Sequence, residues 1–373
     1  MQNIIGLINF HNSPDILPIT ESRPLGSTSF LGRYAFCDFA LSALCNSGIS
    51  TVGLLVKDHQ RSILKHLGSM DAWQSNTKIS KTVVMFNEEA IRKPALNTDL
   101  QNIRQNDWIL YDSNASHIVI IPAHIVASLD LREAIAEHIA RNESITVVTT
   151  KVDDVSNDYL GQMIVETDDE GYITSYHMNN GKQKGAALCS MSAMIIKRTA
   201  LATLCSVELE LEPKKMLRDL IFSHAKRHGT RVHTYEFKGY SWCINSFKKY
   251  VEASFALLDP ENIAKLFRWD YQIYTLTHDT PPAIYGADAK VRGSFISNGA
   301  QVEGTVEHSI IARDVKIAKG AVVRNSIIFS SSCIDEGAVV ENAVIDKFVI
   351  VTKHHEVRGL ADSYAYLKQG AIV

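Results

Sequence analysis

The sequence lacks most features that mark secreted, membrane or nucleic-acid-binding proteins. Its six cysteines include no CxxC pair and no zinc-like spacing, which predicts reduced core thiols rather than a disulfide scaffold. The start, Met1–Ile4, has no positive residue or long apolar stretch, and the most apolar run, Ile118–Ala127, is too short to cross a bilayer. A net charge of −3 provides no basic surface. We therefore expect a cytoplasmic protein with no nucleic-acid or membrane partner.

The length of the chain indicates more than one domain. At 373 residues it exceeds what a single hydrophobic core usually serves. Its composition, 46% hydrophobic and 21% charged, is ordinary for a globular protein. We predict an α/β domain over residues 1–256, a packed connector over 257–282 and a second domain over 283–373.

The last ninety residues repeat themselves. Four similar segments occur at Val291–Ile296, Val306–Ile311, Val323–Ile328 and Val340–Ile345, and the last three begin 17 residues apart. Aliphatic residues follow at steps of six, six and five, which fits neither an α-helix nor a hairpin. These aliphatic positions are Ile311, Ile317, Val323, Ile328, Ile334, Val340, Ile345 and Val351. The pattern predicts a left-handed parallel β-helix of hexapeptide repeats, in which stacked triangular coils bury one aliphatic residue per side.

The first 150 residues alternate short apolar runs with helical patterns. The runs are apolar on both faces, which is typical of strands covered by helices on two sides. The predicted strands are Asn3–Asn9, Thr51–Val56, Thr82–Phe86, His117–Ile121 and Ile145–Thr150. Predicted helices are Phe36–Asn46, one beginning near Asp130, and Ser246–Leu257, which Asp259-Pro260 should end. This alternation predicts a doubly wound, Rossmann-like α/β sheet.

The connector is expected to pack rather than hang free. It carries four aromatic side chains, Phe267, Trp269, Tyr271 and Tyr274, before it reaches Pro281-Pro282.

The turn after the first strand is a poor phosphate loop. Ligands of such sheets lie at the carboxyl ends of the strands, where glycines let backbone N–H groups approach a phosphate. Here the turn, Asn9–Asp15, contains no glycine.

Several local motifs make the chain similar to a known family. Arg33–Ser42 followed by Asn46–Ile49 resembles the GGKYRIIDFPLSN…NSGI stretch of the ADP-glucose pyrophosphorylase family of sugar nucleotidyltransferases. Gly239-Tyr240, Tyr250–Ala253 and Tyr274–Pro282 resemble later motifs of the same family in the same order. The resemblance implies a GT-A-like nucleotidyltransferase domain followed by a left-handed β-helix.

The same alignment shows residues that do not match. The family's glycine-rich loop is replaced by Asn9–Asp15, and its Lys-Pro pair becomes Arg23-Pro24. Its two metal-holding aspartates align with Ala123 and Cys243, and its sugar-phosphate lysine falls at Met178. Phosphoryl chemistry depends on charge neutralisation by Mg²⁺, worth several kcal/mol, and each ~1.4 kcal/mol is a factor of ten in rate. We expect no catalytic residues, no metal site and a chain nearly inactive alone.

Within the family, a chain with these substitutions resembles the GlgD-type glycogen biosynthesis subunits. The resemblance implies a noncatalytic or regulatory subunit that assists ADP-glucose synthesis from ATP and glucose 1-phosphate. It would join a catalytic ADP-glucose pyrophosphorylase subunit in a hetero-oligomer, expected to be a tetramer, through the β-helix and connector. The chain would need no cofactor, while the catalytic partner would use Mg²⁺.

Two other functions remain open from the residues. The first alternative is a weakly active sugar-phosphate nucleotidyltransferase. The second is a hexapeptide acyltransferase-like protein, with His308, His354 or His355 on the solenoid as the candidate catalytic histidine, or a scaffold protein. His124, beside one lost metal position, is more often structural than a ligand in such a place.

Some charged residues also have more than one interpretation. Arg23 and Arg33 are candidates to contact a phosphate-bearing effector, a nucleotide or a sugar phosphate, or else they cap strands or pair with Asp38. Nothing in the spacing of Asp99 and Asp112 supports a substitute metal site.

Overall fold

The computed structural model describes residues 3–73 and 80–373. An α/β domain comes first and a solenoid of short strands follows. In chain order the strands of the α/β domain are β1 (Ile4–Asn9), β2 (Ser29–Phe30), β3 (Tyr34–Ala35), β4 (Thr51–Val56), β5 (Lys81–Phe86), β6 (His117–Pro122), β7 (Ile125–Ala127), β8 (Ile145–Val152), β9 (Met163–Thr167), β10 (Ile173–Met178), β11 (Ala187–Lys197), β12 (His233–Glu236) and β13 (Ser241–Cys243).

The helices lie between these strands and after them. They are α1 (Phe36–Asn46), α2 (Gln60–Leu67), α3 (Glu89–Arg92), α4 (Asp99–Gln105), α5 (Arg132–Ala140), α6 (Arg198–Thr203), α7 (Leu209–Leu211), α8 (Leu217–His228), α9 (Phe247–Ala256) and α10 (Pro260–Leu266). Short 3-10 helices occur at Leu25–Ser27, Asp71–Trp73, Pro94–Leu96 and Asp107–Ile109, and Leu204–Glu208 forms a π-helical turn.

The central sheet is mixed. Among the described residues its strand order is β10-β9-β11-β6-β1-β4-β5, and β8 pairs with both β11 and β12. Strands β4, β5 and β6 run parallel to β1 as the sequence predicts, while β11 runs antiparallel to β6 and β8. Neighbouring residues of β1 face opposite cores, since Leu7 and Ile8 belong to different buried clusters. Both faces of the sheet are therefore covered, as in a doubly wound fold.

Most predicted elements are confirmed to within two residues. Helix α1 has the predicted bounds, and α9 begins after Ser246, whose side chain accepts a hydrogen bond from the Lys249 N–H. Helix α9 ends before Asp259-Pro260, as predicted, and Pro260 is the first residue of a further helix, α10, which Asp259 caps. One expectation for the connector was wrong: Trp269 does not pack, because its side chain is 99% exposed.

The predicted β-helix is confirmed. Within the described residues it consists of three five-stranded parallel sheets, ordered β14-β17-β20-β23-β26, β15-β18-β21-β24-β27 and β16-β19-β22-β25-β28. The eight predicted aliphatic positions are all at most 1% exposed. The strands are β14 (Ile284–Tyr285), β15 (Lys290–Arg292), β16 (Phe295–Ile296), β17 (Gln301–Val302), β18 (Thr305–Glu307), β19 (Ile310–Ile311), β20 (Lys316–Ile317), β21 (Val322–Arg324), β22 (Ile327–Ile328), β23 (Cys333–Ile334), β24 (Val339–Glu341), β25 (Ala343–Ile345), β26 (Ile350–Val351), β27 (Glu356–Arg358) and β28 (Ala365–Leu367).

One face of the solenoid packs against the α/β domain. Ile311 and Ile328 point into the coil, whereas their neighbours Ile310 and Ile327 join a second cluster with Tyr250 of α9. This alternation explains the paired isoleucines of the repeat, because one residue fills the coil and the next fills the domain interface. Within the described residues, no helix combines the length and apolar character needed to span a membrane.

Candidate functional site

The turn after β1 is held by a buried polar network. The Asn9 side-chain amide donates to Oδ2 of Asp99 at 2.7 Å, and the His11 N–H donates to Oδ1 of Asn9 at 2.9 Å. Oδ1 of Asp99 accepts from the N–H groups of Leu100 and Leu217 at 2.8 and 2.9 Å. Both oxygens of Asp99 are therefore used in hydrogen bonds within the protein.

The His11 imidazole belongs to the same network. Its Nδ1 lies 3.3 Å from the Asn97 carbonyl oxygen, and its Nε2 lies 3.0 Å from the amide nitrogen of Asn102. The carbonyl accepts and the amide donates, so these contacts fit a neutral imidazole protonated at Nδ1. Burial lowers the pKa of His11 to about 4. The turn therefore carries no imidazolium charge near neutral pH.

Backbone N–H groups of the turn bond inside the protein. The N–H of Phe10 donates to the Leu55 carbonyl at 3.1 Å, and that of Ser13 donates to the Phe10 carbonyl at 3.3 Å. The N–H of His11 is taken by Asn9. A phosphate loop needs such groups free to face a ligand. The geometry agrees with the prediction of a poor phosphate loop.

Ala123 lies in an apolar contact with this turn. The Phe10 ring is 1% exposed, and a Cβ added to Gly26 would lie 2.4 Å from that ring and 3.0 Å from the Ala123 Cβ. Phe10, Gly26 and Ala123 therefore pack together, where the family alignment places a metal-holding aspartate.

Cys243 lies in the same buried region as Ala123. Strand β13 runs antiparallel to β7 with Cys243 opposite Ile125, two residues after Ala123. Ala123 and Cys243 belong to one hydrophobic cluster, and burial raises the pKa of the Cys243 thiol to about 12. At neutral pH both positions are uncharged.

His124 belongs to a second neutral network. Its Nε2 lies 3.0 Å from the Gln162 side-chain nitrogen, and the Ser192 hydroxyl donates to the Gln162 oxygen at 2.5 Å. Burial and, to a lesser degree, the charge of Arg218 lower the pKa of His124 to about 3. These partners favour the structural interpretation of His124.

The side chains at these positions do not fit Mg²⁺. This ion prefers carboxylate and other oxygen ligands in octahedral geometry. Ala123 offers no ligand atom and Cys243 offers a protonated thiol. Both lie in apolar packing that would oppose an unpaired charge.

The remaining predicted position, Met178, ends the edge strand β10. It pairs with Met163 and its side chain is 37% exposed.

A cavity of about 300 Å³ lies beside Cys243, lined by aromatic side chains such as Tyr240 and Trp242 and by the carboxylate of Asp158. The cleft thus keeps space for a small ligand.

The two candidate arginines have different environments. Arg23 is 3% exposed, and its Nη2 lies 2.7 Å from Oδ2 of Asp346 in the β-helix. Neither arginine pairs with Asp38, which instead accepts from the Ala35 N–H at 2.9 Å and lies 2.6 Å from the His66 Nε2. Arg23 therefore joins the two domains.

Arg33 faces an interdomain cavity of about 310 Å³ together with Arg313. The Arg33 side chain is exposed and forms no ion pair or side-chain hydrogen bond among the described residues. The Arg33 guanidinium carbon lies 5.9 Å from the centre of the Tyr34 ring. Phosphate contact therefore stays a prediction for Arg33.

The solenoid histidines do not gather into a site. His308 stacks on Phe255 with ring centroids 5.0 Å apart and bonds to Asn325, while His354 and His355 are exposed on another coil. These contacts are structural, and nothing in them favours an acyltransferase.

Comparison with known proteins agrees with this architecture. The sequence model of the nucleotidyl transferase family matches residues 16–258, and that of the GlmU-like C-terminal hexapeptide matches residues 282–362. The chain is 28% identical over 365 residues to glycogen biosynthesis protein GlgD of Bacillus subtilis, covering 95% of this chain and 92% of the relative. It is 26% identical over 337 residues to glucose-1-phosphate adenylyltransferase of Fervidobacterium nodosum, covering 87% and 78%. It is 27% identical over 310 residues to the enzyme of that name from Geobacillus stearothermophilus, covering 82% and 79%.

Proposed function

The chain belongs to the nucleotidyl transferase family, and from this premise we propose that it is a noncatalytic, regulatory subunit of a bacterial glucose-1-phosphate adenylyltransferase. In this role it assists a catalytic subunit that makes ADP-glucose and diphosphate from ATP and glucose 1-phosphate for glycogen synthesis. The complex is cytoplasmic, and Mg²⁺ serves the catalytic subunit alone.

One observation carries the proposal: Ala123 and Cys243, both uncharged, lie in one hydrophobic cluster, with Cys243 opposite Ile125, two residues beyond Ala123. A bound metal supplies several kcal/mol of transition-state stabilisation, and each ~1.4 kcal/mol is tenfold in rate. Its loss lowers turnover by roughly a thousandfold or more. The packed turn at Phe10–Ser13 adds a second defect, because the N–H groups of Phe10, His11 and Ser13 already bond inside the protein. The similarity along almost the whole chain to GlgD, a glycogen biosynthesis protein of Bacillus subtilis, supports a role in glycogen synthesis.

Exposed apolar side chains support a partner at the connector and the first coil. Trp269 is 99% exposed, and Ile284 and Tyr285 are 57% and 52% exposed. Strand β14, which contains the latter two, is the outer strand of its sheet among the described residues. Outer strands and apolar patches are usually covered by another element or chain. We assign this surface to the catalytic subunit, in a hetero-oligomer expected to be a tetramer.

The cavity at Arg33 and Arg313 supports a regulatory ligand. Two guanidinium groups face one interdomain space, and burial, followed by the nearby Arg33 charge, lowers the pKa of Arg313. An anion placed between them would relieve this repulsion. We propose that a phosphate-bearing effector binds there and that the complex transmits its effect by preferring one conformation of the partner.

Size-exclusion chromatography with light scattering tests the assembly. The chain and the catalytic subunit of the same organism are mixed and the complex mass is measured. Trp269→Ser should weaken association, whereas Tyr111→Ser, which removes another exposed aromatic (64% exposed), should not. A chain that stays monomeric with the catalytic subunit present contradicts the proposal.

A second assay addresses the effector. In the complex, Arg33→Gln should reduce the response to phosphate esters, while Arg92→Gln, an exposed arginine elsewhere, should leave it unchanged. An unaltered response in Arg33→Gln would assign the effector to another site.

A further inference from the structure

A cluster of two histidines and a glutamate lies away from the cleft described above. His224 and His228 are four residues apart on α8, which places them on one face of the helix. Glu208 is the last residue of the π-helical turn that packs beside α8. π-helical turns are rare and occur frequently at functional sites.

The donor atoms already have the spacing of metal ligands. The His224 Nδ1 and the His228 Nε2 each lie 3.0 Å from the same oxygen, Oε1 of Glu208. All three ligand atoms lie within 4.8 Å of one another. In a tetrahedral zinc site with bonds near 2.0–2.1 Å, neighbouring donors are about 3.3 Å apart. Only small side-chain shifts are needed to admit an ion between them.

The carboxylate is held in place by a neighbouring arginine. Glu208 is fully buried, and its second oxygen is contacted by Arg227, which also bonds to Glu212 at 2.6 Å. Arg227 thus orients the carboxylate from outside, as supporting residues do around metal ligands.

The site is open on one side. The His224 side chain is 15% exposed and that of His228 is 47% exposed, so solvent reaches the point where the two rings converge. The imidazole centroids are 4.5 Å apart.

We propose that Glu208, His224 and His228 bind one divalent transition-metal cation of the zinc class, with water completing the coordination. Two imidazoles and one carboxylate form a donor set that suits Zn²⁺ and Co²⁺ rather than Mg²⁺. The ligating nitrogens must be unprotonated, so affinity falls as pH drops.

The cation would tie α8 to the π-helical turn. The opposite end of α8 reaches the cleft, where the Leu217 N–H donates to Asp99 at 2.9 Å. A metal at His224 and His228 therefore stabilises a helix that supports the turn after β1. This role is independent of catalysis and of any partner subunit.

Titration of the metal-free full chain with Co²⁺, followed by its visible d–d absorption, tests the site. We expect saturable binding of one equivalent, displaced by Zn²⁺. A hundredfold excess of Zn²⁺ over its dissociation constant should also raise Tm by about 5 °C. Both effects should be lost in His224→Gln/His228→Gln and strongly reduced in the milder His228→Gln.

The matched control removes two histidines from other exposed surfaces, His177→Gln/His355→Gln, and should keep both effects. The proposal is overturned if the wild-type chain shows no saturable Co²⁺ signal. It is equally overturned if the folded His224/His228 variant retains the signal. If the double variant does not fold, the single variant His228→Gln, at a partly exposed position, still assigns the signal to this site or to another.

Discussion

The ion pair between Arg23 and Asp346 should hold the two domains together. Both side chains are nearly inaccessible, at 3% and 1% exposure, and lie 2.7 Å apart. Asp346→Asn keeps the shape but removes the charge that balances Arg23. Breaking a buried pair from one side costs about 3–5 kcal/mol. We expect the lower end, about 3 kcal/mol, because Gln369 and Ser22 still accept from Arg23 at 3.2 Å.

Equilibrium urea unfolding measures this loss as a shift of the transition that separates the domains. The matched control is Glu307→Gln, which breaks the ion pair with Arg324 on the solenoid surface. That pair has the same 2.7 Å separation, but its side chains are 43% and 47% exposed. The control should cost less than about 1 kcal/mol.

A double variant distinguishes the cost of leaving a buried charge unpaired from the cost of losing the contact between the two side chains. In Arg23→Met/Asp346→Leu no charge is left buried, so much of the stability should return. The reasoning is refuted if Asp346→Asn destabilises no more than Glu307→Gln. It is also refuted if the double variant is as unstable as Asp346→Asn.

Three further predictions follow from buried groups. Stability should fall as pH drops from 6.5 to about 4, because the unfolded chain binds a proton at His11 that the folded protein does not bind. This pKa difference corresponds to about 3 kcal/mol. His11→Asn should make the profile of urea midpoint against pH less steep, while His124, whose pKa is also lowered, still contributes to it. Cys243 should resist alkylation in the native protein at pH 8, because its pKa is raised to about 12, whereas the half-buried Cys45 should react first. Mass spectrometry measures the labelling of each thiol, and rapid labelling of Cys243 would show that the cleft opens. Gly304→Ala should lower Tm far more than Gly286→Ala. A Cβ at position 304 would lie 2.3 Å from a backbone oxygen, whereas a Cβ at position 286 would lie 3.1 Å from the Glu303 side chain. Equal melting temperatures of the two variants would contradict this packing.

The repeats made the β-helix predictable. The aliphatic residue that points into the solenoid recurs once in every coil on each side. Ile317 and Ile334 could therefore be assigned to the solenoid interior from the sequence alone. Strands β1 and β4 were equally clear because they are apolar on both faces. Strand β11 was missed, since its long apolar run does not reveal that it pairs antiparallel with two neighbours.

The candidate site was predicted only as a set of substitutions. The alignment identified Ala123 and Cys243, but not what replaces the missing ligands. The contacts of Asn9 with Asp99 and of His11 with Asn102 join residues about ninety positions apart, which no local pattern indicates. The four-residue spacing of His224 and His228 was a usable signal, but Glu208 reaches them only through the tertiary fold.

The central proposal is that the chain assists a catalyst without being one. ADP-glucose formation from ATP and glucose 1-phosphate should therefore be measured with Mg²⁺ for the purified chain, the catalytic subunit and their mixture. We predict turnover by the chain alone at least about a thousandfold below that of the catalytic subunit, and higher activity in the mixture than in the catalytic subunit alone. Turnover by the chain alone that matches the catalytic subunit would contradict the account.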